Sequence, residues 1–242
     1  ARMHYDYYKN SATHNTLTVN QSNQPPANSE VLGWHMGEEY LWLDTETDWG
    51  KPPPQLNSHT RVEWDVEAWR DVRFRRRLLW LDDVLIDLST VENPHRQQLD
   101  WTLHLAADAL DQSGKPQPFS LSGPLRHMAE STMTPLHGCQ PRHFAREGDT
   151  VALWLAGDGE LWQGLAPDNP AVRDLSYLVM RNHLPQARFV CLWDLAKQSP
   201  LTEVSVHHTA IGTQLTFWRG ERVAHVTLYD DPALRPEFVG RA

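Results

Sequence analysis

The residues of this chain best suited to chemistry lie near its start. His14-Asn15-Thr16-Leu17-Thr18-Val19-Asn20 sets an imidazole and a carboxamide directly ahead of a short alternating stretch. Before it runs Tyr5-Asp6-Tyr7-Tyr8-Lys9-Asn10, which is aromatic and polar. Together these groups can handle protons or a sugar, because imidazole changes charge near neutral pH and tyrosine offers both a ring and a hydroxyl. The thirteen histidines are otherwise scattered. His207 and His208 are neighbours, so on a strand their rings point to opposite faces and do not share a metal easily. His4 and His14 fall at no ligand spacing. The chain carries no P-loop, no GxGxxG after a strand, no GxSxG and no HExxH.

These residues need a scaffold, and the pattern around them is β. Residues 16–19 alternate polar and apolar side chains, three of the four β-branched, which predicts a half-buried strand with His14 and Asn15 at its start, in reach of solvent or a ligand. A polar loop over 21–29 follows. A strand over 39–45 ends in Asp48-Trp49-Gly50-Lys51-Pro52-Pro53-Pro54, where three prolines remove ladder donors. That loop is a rigid edge cover or, through Trp49, a binding rim. Residues 61–68 read as another strand, with Val62, Trp64 and Val66 on one face and Arg61, Glu63, Asp65 and Glu67 on the other.

Residues 72–81 give the strongest β signal. Val72, Phe74, Leu78 and Trp80 share a face with Arg76, while Arg73, Arg75 and Arg77 share the other. Asp82-Asp83 turns the chain into 84–91, making a hairpin. The arginine row matches the acidic row of 61–68 in length and opposite sign, so it reads as a paired, solvated sheet face rather than an anion site. In 100–105, Trp101, Leu103 and Leu105 share one face and Thr102 and His104 the other. Residues 125–141 are weakly patterned. Strands over 150–156 and 161–165 are predicted to form a hairpin through Asp158-Gly159. Further strands are predicted at 177–181, 188–193, 201–208, 214–219 and 222–229. No amphipathic helix, internal repeat or linker stands out. Many short strands between tight turns predict an all-β chain: a single domain over 1–242, built as a large antiparallel β-sandwich of two stacked sheets with little helix.

Composition narrows the partners. The 242 residues are 40% hydrophobic, enough for a packed core without staples. Net charge is -9, which argues against nucleic acid and anionic membranes as partners. A polyanionic sugar would then need local basic groups. Eleven tryptophans suit sheet cores first and carbohydrate stacking second. Cys139 and Cys191, with no CxxC or zinc-type spacing, are one disulfide or two buried thiols. No apolar run approaches a membrane span.

Tyr8 and the strand opened by His14-Asn15-Thr16 resemble the His-Asn-Thr strand that opens the C-terminal β domain of heparinase II/III-like polysaccharide lyases. The run from Arg77 to Asp87 resembles that domain's central hairpin. Asp100-Trp101-Thr102-Leu103-His104-Leu105 resembles its Trp-x-x-His strand, and residues 177–195 resemble its late strand pair. The resemblance implies β-elimination on an acidic, uronic-acid-containing polysaccharide, in a periplasmic or secreted protein. It implies a proton-handling, catalytic role for His14. Asn15 would bind the uronate carboxylate or orient His14, and Tyr8 would contact the sugar. The family's helical toroid domain, with its main catalytic residues, is absent from this chain, so the domain alone is expected to be inactive or nearly so, a piece whose partner is that helical domain. Family members often hold a zinc in the β domain through His, Asp and His. The first would fall on His14 and the last near Phe74 or Arg75, neither a histidine, with Glu30 the only acid near the middle position. No metal and no cofactor are therefore expected. The alternative reading is a non-catalytic carbohydrate-binding or structural module, binding glycan through Trp49 or Trp69.

Overall fold

The structure is a computed structural model that describes residues 3–52, 63–111, 113–120 and 123–240. After helical turns at His4–Tyr8 and Ser11–Thr13 come β1 (Leu17–Val19), β2 (Ser29–Met36), β3 (Tyr40–Asp48), β4 (Arg73–Leu81), β5 (Val84–Glu92) and β6 (Leu99–Leu105). Two-residue strands β7 (Asp108–Ala109) and β8 (Lys115–Pro116) and a helical turn at Pro124–His127 precede the long strands β9 (Ala129–Arg146) and β10 (Asp149–Pro167). Then follow β11 (Asp174–Asn182), β12 (Gln186–Asp194), β13 (Glu203–Thr209), β14 (Gly212–Arg219), β15 (Arg222–Tyr229) and β16 (Glu237–Gly240). The chain is nearly all β, as its pattern predicts.

One twelve-stranded antiparallel sheet and a four-stranded sheet, β13-β14-β15-β16, make up the fold. The large sheet folds back on itself. One edge of β10 pairs with β9 along its length. Its other edge pairs first with β12, over 152–156, and then with β11, over 160–167. The sheet therefore forks into two layers: β12-β5-β4-β3-β2, and β11-β6-β1. Between them lies the main core, where Trp101 and Leu103 of β6 and Met180 of β11 cluster with Phe74, Val91, Phe189 and Cys191 of the facing layer. The outer face of the five-stranded layer carries Leu79, Ile86, Leu88 and Leu192. These pack on Leu215, Phe217 and Val226 of the four-stranded sheet. A third cluster docks the N-terminal turn, through Tyr7 and Ala12, on Tyr177 and Val179 of β11.

Four expectations need correction. Asp158-Gly159 is no hairpin turn but the bend inside β10. Gly159 has φ +126°, and a Cβ there would lie 2.2 Å from the Arg181 carbonyl oxygen, so the bend demands glycine. The strand over 61–68 is absent where it is described: residues 63–65 are irregular and 66–70 form a turn, while Arg61, Val62, Pro53 and Pro54 lie outside the described residues. The arginine row consequently meets a different acidic row, with Asp44, Glu46 and Asp48 of β3 facing Arg77, Arg75 and Arg73. Trp69 is wholly buried and forms no exposed rim; Trp49 packs on it at 4.3 Å, donates Nε1–H to the Pro25 carbonyl and is half-buried on the lining of a polar pocket.

Strand β2 and the long β9 are elements that the sequence pattern missed. A register shift between Val31 and Gly33 breaks the alternation of β2. The five-stranded layer overhangs the three-stranded one there, so Trp34, Met36, Leu41, Leu43 and Trp80 stay exposed on the core-side face. Cys139 and Cys191 are free thiols.

Candidate functional site

His14 and Asn15 sit just before β1, which is the edge strand of the three-stranded layer. The chain stays beside β6 through this segment: the Thr102 amide donates to the Thr16 carbonyl at 2.8 Å, and the Thr102 hydroxyl donates to the His14 carbonyl at 2.6 Å. His14 is exposed, and its carbonyl and amide hold its backbone in place on the edge. β1 itself is buried on both faces rather than half-buried, with Leu17, Thr18 and Val19 all inaccessible.

Asn15 is a staple. Its Oδ1 accepts the His104 backbone N–H at 2.7 Å, which fixes it to β6. Its carbonyl accepts from Arg76 Nη1 at 2.9 Å, which reaches across to β4 in the opposite layer. Arg76 is held in turn by Asp87 on β5, with Nε on Oδ1 at 3.0 Å and Nη2 on Oδ2 at 2.5 Å. This bidentate pair is the strong form of a carboxylate–guanidinium contact. Burial works against the Arg76 charge, but the Asp87 carboxylate outweighs it and lifts the pKa above the ordinary arginine value.

Tyr8 goes elsewhere. It is half-buried and donates its hydroxyl to the Asp168 carbonyl at 2.6 Å, anchoring the N-terminal turn to the loop after β10. Its neighbour Tyr7 is the residue near the site. The Tyr7 hydroxyl lies 3.4 Å from His104 Nε2, and the His104 ring packs on Tyr177 at 4.3 Å. Burial, and then the charge of nearby His14, push the His104 pKa down to about 3, so the ring is neutral. Burial also raises the Tyr7 hydroxyl well above the usual tyrosine range. His14, Asn15, His104 and Arg76 thus form one connected group.

Below the seam is a polar pocket of about 370 Å³. The 11–27 segment forms one wall, with Thr16 and Gln24, and the inner face of β2, β3 and β4 forms the other, with Ser29, Thr45, Thr47, Phe74 and Arg76. A larger cavity of about 470 Å³ lies on the opposite face of that layer, beside the four-stranded sheet. Three of its guanidinium groups meet carboxylates closely, Arg75 bidentate on Asp44 and Arg77 and Arg188 both on Asp230, while Arg73 is more exposed and reaches Glu92 at 3.3 Å. That arrangement clamps the two sheets together. It is a paired face, although the partners are not those expected and the face is not solvated: Arg77 is buried and Arg75 nearly so beneath the four-stranded sheet.

The residues around His14 do not fit a zinc. Glu30 is taken by Lys51 at 2.6 Å. On β4, the pocket carries a cationic guanidinium where a donor would be needed. Among the described residues no three His, Cys, Asp or Glu side chains gather to hold a metal.

No family model matches the chain, and no curated protein matches it. Solved structures do. A heparinase III gene product superposes with TM-score 0.54 at 10% identity, over 99% of this chain and 32% of its own. Heparan sulfate lyase HepC from Pedobacter heparinus superposes with TM-score 0.51 at 12% identity, over 92% of this chain and 31% of its own. The chain has the fold of a heparinase III segment. It spans about a third of the length of these structures. At such identity the likeness carries the fold and assigns no residue its role.

Sequence reading placed His14 and Asn15 together and took Tyr8 as their companion. It missed Arg76 with Asp87. The signal was present in both strands of the 72–91 hairpin, since Arg76 interrupts an apolar face and an acid lies across the hairpin from it.

Proposed function

We propose that this chain is the β-sandwich part of a polysaccharide lyase that cleaves a uronic-acid-containing polysaccharide by β-elimination. In that reaction a base removes the proton at C5 of the uronate, and the electron pair forms the C4–C5 double bond. The C4–O4 bond breaks, and an acid protonates the departing oxygen. A carbon acid next to a carboxylate is too weak to ionise unless the carboxylate is neutralised and the base is aligned. His14 serves as one of the proton-handling groups. Asn15 sets its position. The chain forms one wall of the cleft, and a helical domain supplies the other and most of the catalytic residues. The protein works in the periplasm or outside the cell.

The observation that supports this reading most is the exposed His14 at the edge of the three-stranded layer, next in sequence to Asn15, whose carbonyl accepts from the Arg76 guanidinium that lines a polar pocket. The likeness in fold to two lyases accords with it. The reading of the chain as a glycan-binding module through Trp69 is weakened by that residue's complete burial. The test is to offer heparan sulfate and other uronate polymers to the polypeptide that carries this chain, and to follow ultraviolet absorbance of an unsaturated uronate product. Product formation supports the lyase reading; absence of product from every uronate polymer contradicts it.

A further inference from the structure

Building on the lyase reading, we propose that the pocket beneath the seam is a subsite for a single acidic sugar unit, with Arg76 as the group that receives its carboxylate. The guanidinium has five N–H donors. Two engage Asp87 and one engages the Asn15 carbonyl. Two donors are thus left without a bond to any described residue, on a side chain that lines the pocket and is 26% exposed. Asp87 fixes the plane of the guanidinium, so little rotamer entropy remains to be lost when an anion binds.

The rest of the lining suits a sugar rather than an inorganic ion. Thr16, Ser29, Thr45 and Thr47 present hydroxyl groups, and Trp49 adds an aromatic wall. A volume of about 370 Å³ lies at the small end of ligand pockets, room for one or two pyranose rings and not for a longer chain. Thr16 lines the pocket two residues after His14. A uronate seated there would hold its carboxylate on a cation without any metal.

The test is calorimetric titration of the chain with a heparan-sulfate-derived tetrasaccharide and with neutral cellotetraose. Wild type is expected to prefer the acidic ligand at least tenfold. Arg76→Gln combined with Asp87→Asn removes both charges together, so neither partner is left as an unpaired buried charge. That variant is expected to lose the preference, and Thr47→Val to weaken binding of the acidic ligand. Equal affinity of wild type for both ligands, or a preference that survives the double change in a folded protein, overturns the subsite. Elimination activity is read separately in the polypeptide that carries this chain, so product formation alongside a surviving preference sinks the subsite alone, and absence of product from every uronate polymer sinks the lyase reading.

Discussion

At the scale of residues, the site is built on groups that hold one another. His14 and Asn15 are readable from the sequence because they stand at the start of an alternating stretch. His104 is readable as a residue opposite the apolar face of 100–105. That it meets Tyr7, ninety-seven positions away, is not readable, since only the packing of the N-terminal turn on β6 and β11 brings them together. The His104 ring gives a pH prediction. Its folded pKa of about 3 lies below the ordinary histidine value of about 6.5. Above pH of about 6.5 the ring is neutral in folded and unfolded chains alike, and nothing is lost. As pH falls from about 6.5 towards 3, the unfolded chain takes up the proton first, and stability drops by at most about 1.4 kcal/mol per pH unit from this group. Urea denaturation at pH 7 and pH 5 should therefore show a smaller loss in His104→Phe than in wild type. Equal losses would mean that the ring is not held neutral.

At the scale of elements, the sequence was clear where alternation is regular and misleading where backbone geometry overrides it. The hairpin of β4 and β5 was legible, because two β-rich apolar runs flank the Asp82-Asp83 turn; the burial of its arginine face under the four-stranded sheet was not. β2 was not, because its register shift moves the apolar residues out of step. Asp158-Gly159 carries the two-residue turn signal, but the glycine is needed for another purpose. It lets β10 bend and change partner from β12 to β11. Gly159→Ala should cost roughly 1–3 kcal/mol of stability, the range for backbone held in a disfavoured conformation, and more if the Arg181 carbonyl is displaced. A denaturation midpoint equal to that of wild type would show that the bend does not depend on glycine.

At the scale of the whole molecule, a stack of β layers puts the candidate site at an open edge and the strongest ionic contacts at the sheet-to-sheet boundary. Composition and turn spacing made the all-β class legible. They did not reveal that one sheet forks and supplies both layers around the main core, since that depends on which edge of β10 each strand joins. Arg219 and Asp194 are both buried and 3.2 Å apart, tying the four-stranded sheet to the end of β12. Asp194 also accepts the Leu201 amide at 2.6 Å. Asp194→Ala leaves Arg219 paired with Asp83 at 2.8 Å but takes away its second carboxylate and the acceptor of the buried Leu201 amide, and should destabilise the protein by about 1–3 kcal/mol in urea. A loss below about 1 kcal/mol would place the strength of the boundary in the apolar cluster alone.

The central claim is that His14 handles a proton in uronate elimination. Its most direct test is the rate at which unsaturated product forms from an acidic polysaccharide, in the polypeptide carrying this chain and in its His14→Ala variant. The account predicts that wild type forms product and that the variant, folded and still binding the polymer, is slower by about a hundredfold or more. An unchanged rate in the variant would contradict it and leave His14 as a strand-end residue without chemistry.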